Sequence, residues 1–88
     1  MKEGIAMVAH MPTTDELQKA PIMELNEGDK FYAQAKAFNE NVYGKIIRVL
    51  THSVILEISE YADSDKARVL DVNSRFVISF DDLYLPRD

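Results

Sequence analysis

Apolar side chains fall at every second position through Val54, Leu56 and Ile58, with Ile55 and Glu57 between them, and this alternation predicts a half-buried β-strand over residues 53–58. Just upstream, residues 42–50 form a largely β-branched run that carries Gly44, and only Thr51 and His52 separate the two segments. A glycine inside such a run and a tight polar connection predict a sharply bent hairpin. The alternation breaks at Ile46 and Ile47, which implies either burial on both sides or a bulge that re-aims the second half of the strand. Earlier in the chain, Phe31, Ala33, Ala35 and Ala37 alternate with Tyr32, Gln34, Lys36 and Phe38, predicting a strand over residues 30–38. It is introduced by the turn cluster Asn26, Glu27, Gly28 and Asp29, and left through Asn39, Glu40 and Asn41.

Past the hairpin, residues 59–66, with Tyr61, Asp63 and Asp65, are polar enough to be an exposed loop. Residues 69–72 and 76–80, joined through Asn73, Ser74 and Arg75, read as two hairpin strands or as one kinked strand. Asp81 and Asp82 then mark a turn or a single 3₁₀ step before a last short strand over residues 83–85, ended by Pro86. At the other end, residues 12–21 predict a short α-helix. Thr13 as N-cap places Glu16 at the third helical position, Asp15 and Glu16 sit at the positive end of the dipole, Lys19 lies near the negative end, and Pro21 blocks continuation. A helix of about two turns is not stable alone. It must therefore dock through Leu17 and Ala20.

The expected fold is mainly β: a small, strongly bent, five-stranded antiparallel barrel with a short N-terminal α-helix, forming one domain over residues 12–88 behind an N-terminal extension of residues 1–11. With 88 residues the chain buries only about 60–65% of the surface that it exposes when unfolded. There is no cysteine to form a disulfide or a thiolate metal site, and two histidines, His10 and His52, do not make a zinc cluster. Oligomerisation is the remaining supplement to so small a core.

Charge narrows the picture further. The net value of −5 argues against a polybasic protein that coats DNA by counterion release. Most of the excess lies in residues 1–29, so the region from Lys30 onward is near neutral and able to present one basic face. No apolar run approaches the roughly 20 residues of a membrane span. The expectation is a soluble, cytoplasmic protein. Catalysis has little to draw on: His10 lies in the N-terminal segment, and His52 has no carboxylate partner nearby in sequence, so an enzyme is not expected. Asp63 and Asp65 have the spacing that opens a calcium loop but lack its glycine and its terminal glutamate, so neither a metal nor another cofactor is expected.

The pattern of a helix followed by five curved strands resembles the Sm-like (LSm) family of RNA-binding ring proteins. Gly44, Ile46 and the run Val54, Ile55, Leu56 match the frame of that family's first motif, with His52 at the position of its stacking residue and Ser53 in place of its asparagine. Ile78 to Leu83 match the apolar frame of the second motif, with Ser79 and Phe80 in place of its arginine and glycine. The resemblance implies that the turn at Thr51, His52 and Ser53 lies beside the turn at Ser79 to Asp82. His52 then stacks on a base of single-stranded RNA, Ser53 and its neighbours Thr51 and Ser79 hydrogen-bond, and Arg48 or Lys45 meets phosphate. It also implies a homo-oligomeric ring in which edge strands of adjacent copies pair, with Phe76, Ile78, Phe80, Leu83 and Leu85 in the interface strands. Tyr32, Phe38, Tyr43 and Tyr84 supply either a stacking surface or ordinary cross-strand packing. Two other readings stand beside this one. The strand glycine and the run after it also resemble monomeric SH3-like barrels of the KOW or Tudor kind, which contact proteins, and a purely structural subunit fits the same composition.

Overall fold

A computed structural model describes residues 6–21 and 25–87 of the chain. It contains one sheet of seven strands: β1 (Ala6–Val8), β2 (Leu17–Lys19), β3 (Lys30–Ala33), β4 (Val42–Val49), β5 (Ser53–Ala62), β6 (Arg75–Ser79) and β7 (Leu83–Pro86). Strands β3 to β6 form an antiparallel meander, β7 returns beside β3, and β2 lines the far edge of β7. Strand β1 is the exception, running parallel to the end of β5 through the pairing of Ala6 with Glu60. Among the described residues one short α-helix, α1 (Lys66–Asp71), accompanies the sheet.

The hairpin β4–β5 has the expected shape, for the expected reason. Val54, Leu56 and Ile58 point inward and are at most 1% exposed, together with Val42 and Ile46 from β4. Register shifts between Tyr43 and Gly44 and between Ile46 and Arg48 bend the hairpin, so the break in alternation at Ile46 and Ile47 marks a bulge. Gly44 is required by a close approach: a Cβ there would stand 2.3 Å from the Glu57 carbonyl oxygen. The core is completed by Leu83 and by Val69, which α1 presses against β5.

The sheet curls strongly. Strands β6 and β7 stand at opposite ends of the order β6-β5-β4-β3-β7, about 19 Å apart if the sheet were flat. They are joined by a single 3₁₀ turn, Phe80–Asp82, a link that reaches at most about 14 Å from Ser79 to Leu83. Among the described residues no ladder joins β6 to β7, however, so the curl stops short of the expected closed barrel.

Three local expectations are corrected. Residues 12–21 hold a 3₁₀ turn, Thr14–Glu16, followed by strand β2 rather than an α-helix. The cap signal operates, since the Glu16 carboxylate accepts the Thr13 N–H at 3.0 Å, and Leu17 and Ala20 are buried. Two turns of helix gain less than a ladder to a waiting edge: Gln18 pairs with Leu85, and the Ala20 N–H donates to the Leu83 carbonyl. Strand β3 ends at Ala33 instead of residue 38, because the chain turns at Lys36 and Ala37 to bring Phe38 into the core against Phe76. Finally, residues 59–66 are not an exposed loop and residues 69–72 are not a strand. Strand β5 continues through buried Tyr61 and Ala62, a 3₁₀ turn (Asp63–Asp65) follows, and α1 covers Val69.

The connection between β3 and β4 is a polar hub. Asp65, 2% exposed, accepts the N–H groups of Asn39 at 2.7 Å and Glu40 at 3.0 Å. Glu40 in turn accepts the Met11 N–H at 2.8 Å and lies 3.1 Å from His10 Nδ1, while Asn41 donates to the Pro12 carbonyl at 2.9 Å. The Met11 N–H and His10 hold the Glu40 carboxyl below its ordinary value of 4.5. Because the folded value is the lower one, this stabilisation is present above pH about 4.5 and is lost as pH falls through the folded value. Thermal melts of the wild type and Glu40→Gln are therefore expected to differ at neutral pH and to converge below pH 4.5. A difference that stays constant down to pH about 3 contradicts this assignment.

Candidate nucleic-acid interface

The two turns at the ends of β4 and β6 come together. The Leu50 N–H donates to the Ser53 carbonyl at 2.8 Å, closing the hairpin over exposed Thr51 and His52. Ser53 pairs with Ser79 across β5 and β6, the Phe80 N–H donates to the His52 carbonyl at 3.1 Å, and Ser79 Oγ caps the 3₁₀ turn by accepting the Asp81 N–H. His52, Ser53 and Ser79 thus share one rim of the sheet.

Arg48 and Lys45 lie elsewhere, on the solvent face of the sheet, where strand alternation and register set side chains in rows. In the first row Lys19, Tyr84, Tyr32 and Tyr43 follow one another across β2, β7, β3 and β4, and Glu60 ends the row on β5. The Tyr32 and Tyr43 rings pack 4.6 Å apart at 49°, and the Tyr84 hydroxyl donates to Gln34 Oε1 at 3.4 Å. The second row is Lys30, Lys45, Glu57 and Arg75, with the last two forming an ion pair at 3.9 Å. A third row begins at Arg48 and continues through Ile55 and Val77. Within these three rows of described residues five cations stand against two carboxylates, in a chain whose net charge is −5.

All three tyrosines in the first row are half-buried, leaving ring surface open to solvent. Burial, then the Glu60 and Tyr43 charges, push the Tyr32 phenol above its ordinary value of 10.0, so it stays neutral at physiological pH. Tyr61, by contrast, is in the core. Sequence reading placed Tyr32, Tyr43 and Tyr84 among the candidates for stacking but missed Lys30 and Lys19. The outward parity of Lys30 relative to Phe31 was the available signal; its position beside Lys45 depends on register.

The residues expected in an interface between copies are largely committed to this chain's own interior. Ile78 and Leu83 are at most 2% exposed, and Phe76, Phe80 and Leu85 pack against the core. Strand β7 has β3 on one edge and β2 on the other, so its edge is already paired. Among the described residues, no group of three or more His, Cys, Asp or Glu is placed to hold a metal ion, and no helix is long and apolar enough to cross a membrane. Compared with family models, curated proteins and solved structures, the chain matches none of them.

Proposed function

We propose that this chain binds single-stranded nucleic acid, RNA in the first instance, on the solvent face of β7, β3 and β4. The observation that carries the reading is the row Tyr84, Tyr32, Tyr43 beside the row Lys30, Lys45. Flat aromatic rings in a row offer each base a stacking surface without reading its identity, and cations one row away meet the backbone phosphates. Arg48 and Lys19 extend the basic track, and the rim of His52, Ser53 and Ser79 supplies a second stacking and hydrogen-bonding group near its end. The short link across a curled sheet supports the small-barrel side of the Sm-like and SH3-like resemblance. The covered edge of β7 weighs against the ring.

The chain has no tryptophan and four tyrosines, so stacking is readable without a label. Titration with a uridine 12-mer or its thymidine counterpart is expected to quench tyrosine fluorescence. The logarithm of the affinity should fall with the logarithm of salt concentration at a slope of about −2 to −3, given three or four cations at the phosphates of a single strand. Reversing charge in the double variant Lys30→Glu/Lys45→Glu, both exposed, is expected to weaken binding at least about tenfold with the fold retained, at a cost of about 1 kcal/mol for the lost cross-strand attraction between Lys45 and Glu57. Absence of quenching and of binding at low salt rejects the proposal and leaves the SH3-like protein-contact reading.

A further inference from the structure

Strand β6 has β5 on one side and no strand on the other among the described residues. The hydrogen bonds that flank its ladder fix which of its backbone groups are free. Ile58 N–H donates to Ser74 O and Phe80 N–H to His52 O, and both pairs share the register of Leu56 with Phe76 and Val54 with Ile78. In an antiparallel ladder bonded pairs alternate, so the even-numbered residues of β6 face β5 and the odd-numbered ones, Arg75, Val77 and Ser79, aim N–H and C=O outward. The Arg75 N–H is taken by Val72 O at 3.0 Å. The Ser79 C=O is turned into the 3₁₀ turn that it caps. Among the described residues the Arg75 C=O, the Val77 N–H and C=O and the Ser79 N–H have no partner, at an edge whose central side chain, Val77, is 55% exposed. An apolar hollow of about 430 Å³, lined by Ile55, Arg75, Phe76 and Val77, lies against the same strand.

We infer that β6 is the site where a second copy of this chain adds, antiparallel, to make a two-fold dimer centred on Val77. This register satisfies the edge from both sides at once: each Val77 N–H donates to the other copy's Val77 O, and each Ser79 N–H to the other copy's Arg75 O. It sets valine on valine over the hollows and extends the apolar row Ile55, Val77 into its symmetric mate. Charge fits too. Arg75 opposes Ser79 rather than another arginine, and the acidic turn with Asp81 and Asp82 follows just beyond that serine in the second copy. Shifting the register by one residue would turn inward-bonded groups to the edge; shifting it by two sets Arg75 opposite the apolar Val77 in one direction and Val77 opposite Ser79 in the other, losing the valine pair either way. The pairing stays short because the 3₁₀ turn ends the strand at Ser79. With the two-fold axis across the sheet, the tyrosine faces of both copies point the same way. The dimer does not depend on nucleic-acid binding.

The chain's lack of cysteine gives a direct test. Opposed residues of a bonded antiparallel pair have Cα atoms about 5.5 Å apart, within disulfide range. Val77→Cys is expected to cross-link to dimer under mild oxidation at least tenfold faster than Leu70→Cys, whose native side chain is equally exposed at 56% on α1. Light scattering during size exclusion should show the wild type at twice the 10.0 kDa chain mass at high concentration, and Val77→Lys at the single mass with an unchanged circular dichroism spectrum. A single mass for the wild type at every concentration, or Val77→Cys linking no faster than Leu70→Cys, overturns the dimer. So does a Val77→Lys protein that remains folded and dimeric.

Discussion

Gly44→Ala is expected to destabilise the protein by about 3 kcal/mol, the upper end of what overpacking ordinarily costs. An added Cβ would stand 2.3 Å from the Glu57 oxygen, 2.9 Å from the Glu57 carbon and 3.0 Å from the Ile58 Cα, all of them backbone atoms. No rotamer change relieves such a contact. Strand β4 must lift from β5, against the pairings of Gly44 with Ile58 and Lys45 with Glu57. For a domain of this size, 3 kcal/mol lowers the melting temperature by roughly 12–24 °C. Since Tyr43 and Lys45 flank the glycine, oligonucleotide affinity should fall with stability, a coupling that the surface charge reversal at Lys30 and Lys45 does not share. A loss below about 1 kcal/mol in denaturant melts would show that the strands can separate at little cost.

Asp65→Ala is expected to lose a similar amount, roughly 3 kcal/mol, by a different route. Its buried carboxylate takes two backbone N–H groups from the connection between β3 and β4, and hydrogen bonds to a charged group contribute about 1.5–3 kcal/mol each. Removing the carboxylate leaves both donors without that acceptor, while the methyl group that remains needs less desolvation, so the net falls short of the sum. Asp65→Asn keeps one acceptor oxygen and should fall between the two. Hydrogen exchange should report the difference locally: the Asn39 and Glu40 amides gain the most exchange in the alanine variant, and the β4–β5 ladder the least. Protection unchanged at these two amides would contradict the role given to Asp65.

Neither residue was equally visible in sequence. Gly44 announced itself, because a glycine in a β-branched run has few explanations other than a bulge or a close approach, and the alternation through Val54, Leu56 and Ile58 fixed the strand that approaches it. Asp65 looked like one more acid in a polar stretch, since its acceptors' partners lie 25 and 26 residues upstream and no local pattern marks such a pairing. Thr13 and Glu16 show the opposite failure. Their local signal was right and its continuation wrong, because the edge of β7 claimed Leu17–Lys19. The tyrosines of the first row were legible as outward-facing residues but not as neighbours. Their alignment needs the exact register of three strands, and the shift between Tyr43 and Gly44 is invisible without it.

The place of β7 also has a consequence for biosynthesis. Its residues, Leu83–Pro86, are made after those of β1 to β6, yet they lie between β3 and β2, both translated long before. While the ribosome still holds them, Leu17–Lys19 has no ladder partner, and Leu83 is missing from a core in which it is fully buried. The nascent chain therefore carries an incomplete sheet until β7 emerges. Folding of this sheet is expected to be completed only once β7 has left the ribosome, in one step that seats β7 and β2 together.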